Sequence, residues 1–150
     1  MKVLVTGAAG FIGSAITAEL VHRGYQVEAV DGFLDGLYPR SEKLRRAENL
    51  YKNFGISVSD QDLNDNFQLN SGIDAIVHAA AMPGLSFSWS NPESYVICNE
   101  LATLNLLSEI NRVKTPRLVF VSTSSVYGKM ATGADAKPTL PVSPYGSTKL

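Results

Sequence analysis

Apolar residues in this chain come in short unbroken runs separated by stretches of helical periodicity. Lys2 to Thr6 is a continuous apolar run ending at a glycine, the pattern of a strand buried on both faces. Phe11 to Gly24 reads as a helix with Ile12, Ala15, Ile16, Ala18, Leu20 and Val21 as its apolar residues and Gly24 as its stop. Gln26 to Val30 predicts a second strand ending on Asp31. Phe33 to Arg40, with Gly36 and Pro39, predicts a loop, and Ser41 to Asn53 a basic, exposed helix. A third strand is expected near Ile56 to Val58 and a fourth over Ile73 to His78. Ala79 to Ser90 reads as a loop. Asn91, Pro92 and Glu93 announce a helix through a cap, a preset φ and an acid in the first turn, and it should run to about Val113, before Pro116. Arg117 to Ser122 is the fifth expected strand, Tyr127 to Val142 a long loop, and Ser143-Pro144 a last helix start.

This alternation predicts an α/β domain of the Rossmann type: a doubly wound parallel sheet of five strands in the order 3-2-1-4-5, with helices on both faces. The 150 residues suit one domain, and 45% hydrophobic against 18% charged is a globular composition rather than a disordered one. A net charge of −1 offers no electrostatic basis for a polyanionic partner, so neither nucleic acid nor an acidic membrane surface is expected. No apolar run approaches the ~18 residues of a membrane span, and Val3 to Val5 is too short for a signal-peptide core. With Cys98 as the single cysteine, neither an intrachain disulfide nor a zinc site of the paired-cysteine type is expected, and no metal. A reducing, cytoplasmic compartment agrees with that.

Two constellations carry chemistry. Thr6-Gly7-Ala8-Ala9-Gly10-Phe11-Ile12-Gly13 follows the first strand and opens the first helix, where a dinucleotide site belongs. Gly7 permits the tight turn, Gly10 lets the backbone approach a pyrophosphate met by helix N-terminal amides, and Gly13 lets helix and strand pack closely. Asp31 ends the second strand, where its carboxylate can accept both ribose hydroxyls of an adenosine and repel a 2′-phosphate; no arginine directly follows it, which favours NAD over NADP. The second constellation is Tyr145-Gly146-Ser147-Thr148-Lys149, a phenol and an ammonium on one face of a helix begun at Pro144. The ammonium favours phenolate, which makes the tyrosine a usable base near neutral pH. Upstream, the hydroxyl run Ser122-Thr123-Ser124-Ser125 ends the fifth strand, within reach of the same substrate oxygen. His78 reads as structural and Cys98 as core packing.

Taken together, these motifs resemble the extended short-chain dehydrogenase/reductases, particularly the nucleotide-sugar epimerases. The resemblance rests on TGAAGFIGS at 6–14, Asp31, QDLND at 61–65, VHAAA at 77–81, NPESYVICN at 91–99, STSSVYG at 122–128 and SPYGSTK at 143–149. It implies NAD as cofactor, with Asp62 and Leu63 flanking the adenine, Ala79, Ala80 and Ala81 lining the cleft, and Ser122 and Asn99 near the cofactor. It implies Tyr145 and Lys149 as the catalytic pair, with Thr123 in the family's Ser/Thr position. Gly32 stands where many members have an asparagine. The implied reaction is 4-epimerisation of a UDP-sugar, most like the UDP-glucuronate and UDP-glucose enzymes, with Ser86 and Ser124 as candidate substrate contacts. Met82 to Trp89 reads either as such a contact or as a plain loop. Dehydratases of the family carry an acidic residue after the threonine, and Ser124-Ser125 disfavours that chemistry. A 4,6-dehydratase, a sugar reductase and a non-catalytic NAD-binding module are the alternatives. Family members run to about twice this length, so residues 1–150 are expected to be an NAD-binding domain incomplete at its C-terminus, without a substrate domain and weak or inactive alone. The resemblance further implies a homodimer through helix 91–113.

Overall fold

The computed structural model describes residues 1–36, 38–115, 117–132 and 138–150. Among them β1 (Lys2–Thr6), β2 (Gln26–Asp31), β3 (Val58–Asp60), β4 (Ala75–His78) and β5 (Leu118–Phe120) form one sheet. Its order is β3-β2-β1-β4-β5 and every pairing is parallel, as the alternation predicts. β1 lies at the centre, in register from Lys2↔Gln26 to Thr6↔Val30 on one side and from Val3↔Ala75 to Thr6↔His78 on the other.

Both faces of β1 are buried, and the period of two along the strand assigns its residues to two cores. Val3 and Val5 join Ala8 and Ala29 beneath Ile16 and Leu20 of α1 (Phe11–His22). Leu4 joins Ile76, Phe67 and Leu69 beneath Ala102 and Leu106 of a helix on the opposite face. α2 (Arg40–Phe54) packs beside α1, and its stop is Gly55 in the left-handed conformation. Because the chain winds one way from β1 to β3 and the other way from β4 to β5, the carboxyl ends of β1 and β4 diverge into a crevice.

The structure corrects several expected boundaries. Ile56 packs against the core but pairing starts at Val58, so β3 lies two residues later than expected. Ile73 is likewise buried ahead of β4 without joining the ladder. The expected loop over 79–90 contains a short helix, α3 (Leu85–Ser90). Asn91 does not cap the helix that follows: at φ/ψ −143°/55° its side chain makes no cap hydrogen bond, while its N–H donates to Phe87 O to close α3. The expected single helix is three pieces, α4 (Pro92–Tyr95), a π-helical turn (Val96–Leu101) and α5 (Ala102–Val113). The expected loop from Tyr127 begins inside a 3₁₀ segment, Ser124–Met130, and its residues 133–137 lie outside the described ones. The last helix, α6 (Pro144–Ser147), is capped as expected, with Ser143 Oγ accepting from Gly146 N at 3.0 Å.

Candidate active site

The crevice at the switch between β1 and β4 is a long cleft with the glycine loop at one end and Tyr145 and Lys149 at the other. Its adenosine end is built by close backbone packing. Gly7 has φ +68°, and a Cβ there would lie 2.5 Å from Ala80 N; one on Gly13 would lie 2.0 Å from Gly7 O. Gly10 precedes α1 without a side-chain cap, so the amides of the first turn, which have no partners inside a helix, face the cleft mouth beside Phe11 and Ile12. A bare, uncapped helix start floored by glycine backbone fits a pyrophosphate.

Asp31 lines the same end, 5% exposed. Its Oδ2 accepts from Ala9 N at 3.0 Å and its Oδ1 from Phe33 N at 2.8 Å, which ties the glycine loop to the end of β2. Each carboxylate oxygen has a second lone pair free for a ribose hydroxyl. Lys43 Nζ lies 3.6 Å from Oδ1 and also lines the cleft. Sequence reasoning missed this cation, because it arrives from the fourth residue of α2 rather than from the stretch after Asp31. Asp62 and Leu63 line the cleft as well, Asp62 Oδ1 accepting from Asn64 N at 2.9 Å. The loop they belong to docks on the π turn, where Asn64 Nδ2 donates to Ile97 O. That docking puts Cys98, half-buried, in the cleft wall and not in the core, correcting the expectation. Burial and the Asp62 carboxylate push the Cys98 thiol up, so it stays protonated at neutral pH.

Ala79, Ala80 and Ala81 form the middle of the cleft, and Ser122, Tyr145 and Lys149 its far end. Tyr145 is half-buried, edge-on to the ring of Tyr95 at 5.9 Å. Tyr95 is itself fully buried, and its hydroxyl donates to Pro83 O at 2.6 Å. Lys149 is 2% exposed, its ammonium 4.1 Å above the Phe120 ring. Burial brings its pKa down to about 8. Ser122 Oγ donates to Lys149 O at 2.8 Å.

Four residues singled out in the sequence do not line the cleft. Thr123 caps the 3₁₀ segment, accepting from Ser125 N at 3.2 Å and donating to Ser125 Oγ at a long 3.3 Å. Ser124 is exposed beside it, and Ser86 is exposed in the first turn of α3. Asn99 is 2% exposed and turns its amide to Met82 and Thr148. Among the described residues, no group of three or more His, Cys, Asp or Glu could hold a metal, and no helix is long and apolar enough to cross a membrane.

His78 is fully buried beneath this floor, and its partners define its tautomer. Thr103 Oγ1 donates to Asn99 O, so it must accept from His78 Nε2 at 2.9 Å; Nδ1 is then the acceptor from Thr6 Oγ1 at 2.6 Å. Burial, then the Lys149 ammonium, brings the imidazole pKa down to about 4. A proton is thus taken up by the unfolded chain at ordinary histidine pH but refused by the fold. Stability should therefore fall as pH drops from about 6.5 to about 4, by about 1.4 kcal/mol per unit and about 3 kcal/mol in all. Urea unfolding at neutral pH and in that window, compared with His78→Gln, isolates this contribution from the carboxylates; equal pH slopes for the two proteins would contradict it.

Residues 3–150 match the model of the NAD dependent epimerase/dehydratase family. An uncharacterised UDP-glucose epimerase, YtcB, of Bacillus subtilis is 41% identical over all of this chain and 49% of its own length. UDP-glucuronate 4-epimerase 4 of Arabidopsis thaliana is 37% identical over 99% of this chain and 36% of its own. A mutant UDP-glucuronic acid 4-epimerase of Bacillus cereus, solved with UDP-4-deoxy-4-fluoro-glucuronic acid and NAD, superposes with a TM-score of 0.90 at 36% identity, over 99% of this chain and 49% of that one. The chain thus spans about half the length of these two bacterial relatives and about a third of the plant enzyme. The glycine loop, the acid closing β2 and the tyrosine–lysine pair lie along one cleft in a sheet of this order, and the chain belongs to the NAD dependent epimerase/dehydratase family.

Proposed function

We propose that this chain is the NAD-binding part of a nucleotide-sugar 4-epimerase acting on a UDP-sugar, with its substrate domain outside residues 1–150. The observation that carries the reading is that one cleft joins the bare start of α1 to Tyr145 and Lys149. Bound along it, the cofactor would supply reversible hydride chemistry. Gly7, Gly10 and Gly13 cradle the pyrophosphate, and Asp31 with Lys43 holds the adenosine ribose, beside Asp62 and Leu63. Tyr145 takes the proton from the C4 hydroxyl and gives it back after the sugar has turned. Lys149 would stabilise the phenolate form of Tyr145 that receives the proton, and would anchor the nicotinamide ribose. Thr123 can serve as second donor: its cap uses a lone pair, and its proton goes only to the long bond with Ser125, so redirecting it toward a substrate oxygen leaves the cap intact. The relatives' activities support the choice of 4-epimerisation. Residues 124 and 125 are both serines, so neither supplies the acid a dehydratase would use.

The exposed apolar stripe of Val96, Ile97, Leu101, Leu104 and Leu107 along the π turn and α5 is where we place a second subunit. To test the reaction, the full-length protein is given UDP-glucose or UDP-glucuronate and followed by NMR and by absorbance at the NADH band. The expected result is the 4-epimer with no net NADH. Loss of water to a 4-keto-6-deoxy sugar, or NAD binding with no turnover, would reject it. The 150 residues alone are expected to turn over weakly or not at all.

A further inference from the structure

We propose that Asn105, Glu109 and Arg112 of α5 are positioning residues for the adenine end of the cleft, holding in register the loop that carries Asp62 and Leu63. That loop, residues 61–74, joins β3 to β4 with neither helix nor strand of its own, so its buried backbone must find partners elsewhere. Apolar packing supplies part of the hold: Leu63, Phe67 and Leu69 are buried with Ala102 and Leu106 of α5. Such contacts are non-directional and do not by themselves fix where along the helix the loop sits. The polar contacts do. Asn105 Nδ2 donates to Leu63 O at 3.1 Å and to Asn64 Oδ1 at 3.2 Å. Glu109 Oε2 accepts from Leu69 N at 2.8 Å, and Arg112 Nη2 donates to Leu69 O at 2.9 Å.

The three side chains recur at i, i+4 and i+7, one stripe along α5. Glu109 and Arg112 also bond each other twice, Arg112 Nε to Oε1 at 2.9 Å and Nη2 to Oε2 at 2.6 Å. An ion pair at this spacing on a helix surface ordinarily serves that helix alone. Here it closes on one peptide of another segment, offering an acceptor to Leu69 N–H and a donor to its C=O, at a residue only 3% exposed. Arg112, then the Leu69 N–H, hold the Glu109 carboxyl below the usual carboxylate range, so the acceptor stays charged at neutral pH. Earlier in the same loop, Asp62 and Leu63 line the cleft. Asp62 sits in a turn there, its Oδ1 accepting from Asn64 N and its O from Asp65 N at 3.1 Å. A loop displaced along α5 carries that turn with it. None of the three α5 side chains lines the cleft, so they act on the cofactor only through the loop.

The inference rests on the adenine subsite that the proposed function places at Asp62 and Leu63, and its test needs no sugar. The full-length protein is titrated with NAD by calorimetry, and hydrogen exchange is measured without cofactor. Asn105→Ala and Glu109→Ala should each weaken NAD binding about fivefold. Both should speed exchange of the Asn64 and Asp65 amides about tenfold and leave β1 and β4 unchanged. Glu109→Gln keeps an oxygen for Leu69 N–H and should bind NAD within about twofold of the parent. Exchanging the pair, Glu109→Arg with Arg112→Glu, keeps an ion pair on α5 but turns a donor to Leu69 N–H and an acceptor to its C=O. That variant should bind as weakly as Glu109→Ala, whereas a pair serving only its own helix would tolerate the exchange. The inference is overturned if Glu109→Ala or the exchanged pair keeps parental affinity, if glutamine fails to restore it, or if hydrogen exchange rises evenly across the sheet. A parent that does not bind NAD would reject the cofactor reading and leave the Asn64 and Asp65 amides to decide on the α5 stripe. Should Glu109→Ala fail to fold, Arg112→Ala against Arg112→Lys decides: a lysine donating to Leu69 O should restore affinity, and equal losses in the two would overturn the inference.

Discussion

In the reaction proposed above, Tyr145→Phe is expected to lower turnover by about 10² to 10⁴, the range of a lost general acid–base, while NAD affinity stays within about threefold. The separation follows from what the ring and its oxygen each do. Phenylalanine keeps the edge-on contact with Tyr95 at 5.9 Å, and the Ser143 cap of α6 is untouched. The desolvated Lys149 ammonium also stays in place above Phe120. Only the atom that would carry the sugar's proton is removed. Measured kcat within a factor of a few of the parent's would mean that another group moves the proton, and the reading of this cleft would fail with it. A matched loss of NAD affinity would instead mean that the tyrosine hydroxyl holds the cofactor.

Gly13→Ala should be a severely damaging single methyl. Its Cβ would lie 2.0 Å from Gly7 O and 2.7 Å from Gly7 C, both backbone atoms of the loop meant to hold the pyrophosphate. Neither can rotate aside, so α1 must move off the sheet or the loop must lift. The expected cost is about 3 kcal/mol of stability, the upper end of overpacking, together with loss of cofactor binding. Gly10→Ala is the informative contrast. Its Cβ would meet Gly7 O at 3.0 Å, and Gly10 has φ −70°, which alanine adopts freely. That variant should fold nearly as well as the parent yet bind NAD more weakly, because the methyl stands where the backbone must approach the phosphates. Thermal melts and calorimetry with NAD read both quantities. Equal melting for parent and Gly13→Ala would refute the packing argument.

Much of this protein could be read along the chain. The unbroken run from Val3 to Val5 and the period of two within it are strictly local signals, and they sufficed for a central parallel strand with a core on each face. The glycine spacing, Asp31 and the tyrosine–lysine pair were also legible, since each depends on intervals of a few residues within or between adjoining elements. Ser143 and Pro144 started a helix where their chemistry says they should.

What the chain could not show was who meets whom across long intervals. Asn91 had the right type for a cap, but it also closes α3, a helix with no strong local signature, at φ/ψ −143°/55°, and its side chain caps nothing. Lys43 reached Asp31, Cys98 reached the cleft wall, and Asn99 turned to Met82 and Thr148 only once helices and loops had docked. Local sequence determined the strands, the helix faces and the candidate reactive groups, because periodicity and turn chemistry act over a few residues. Tertiary structure alone decided which polar atoms pair in the interior, because a buried donor takes whichever acceptor the packing brings to it, however distant along the chain.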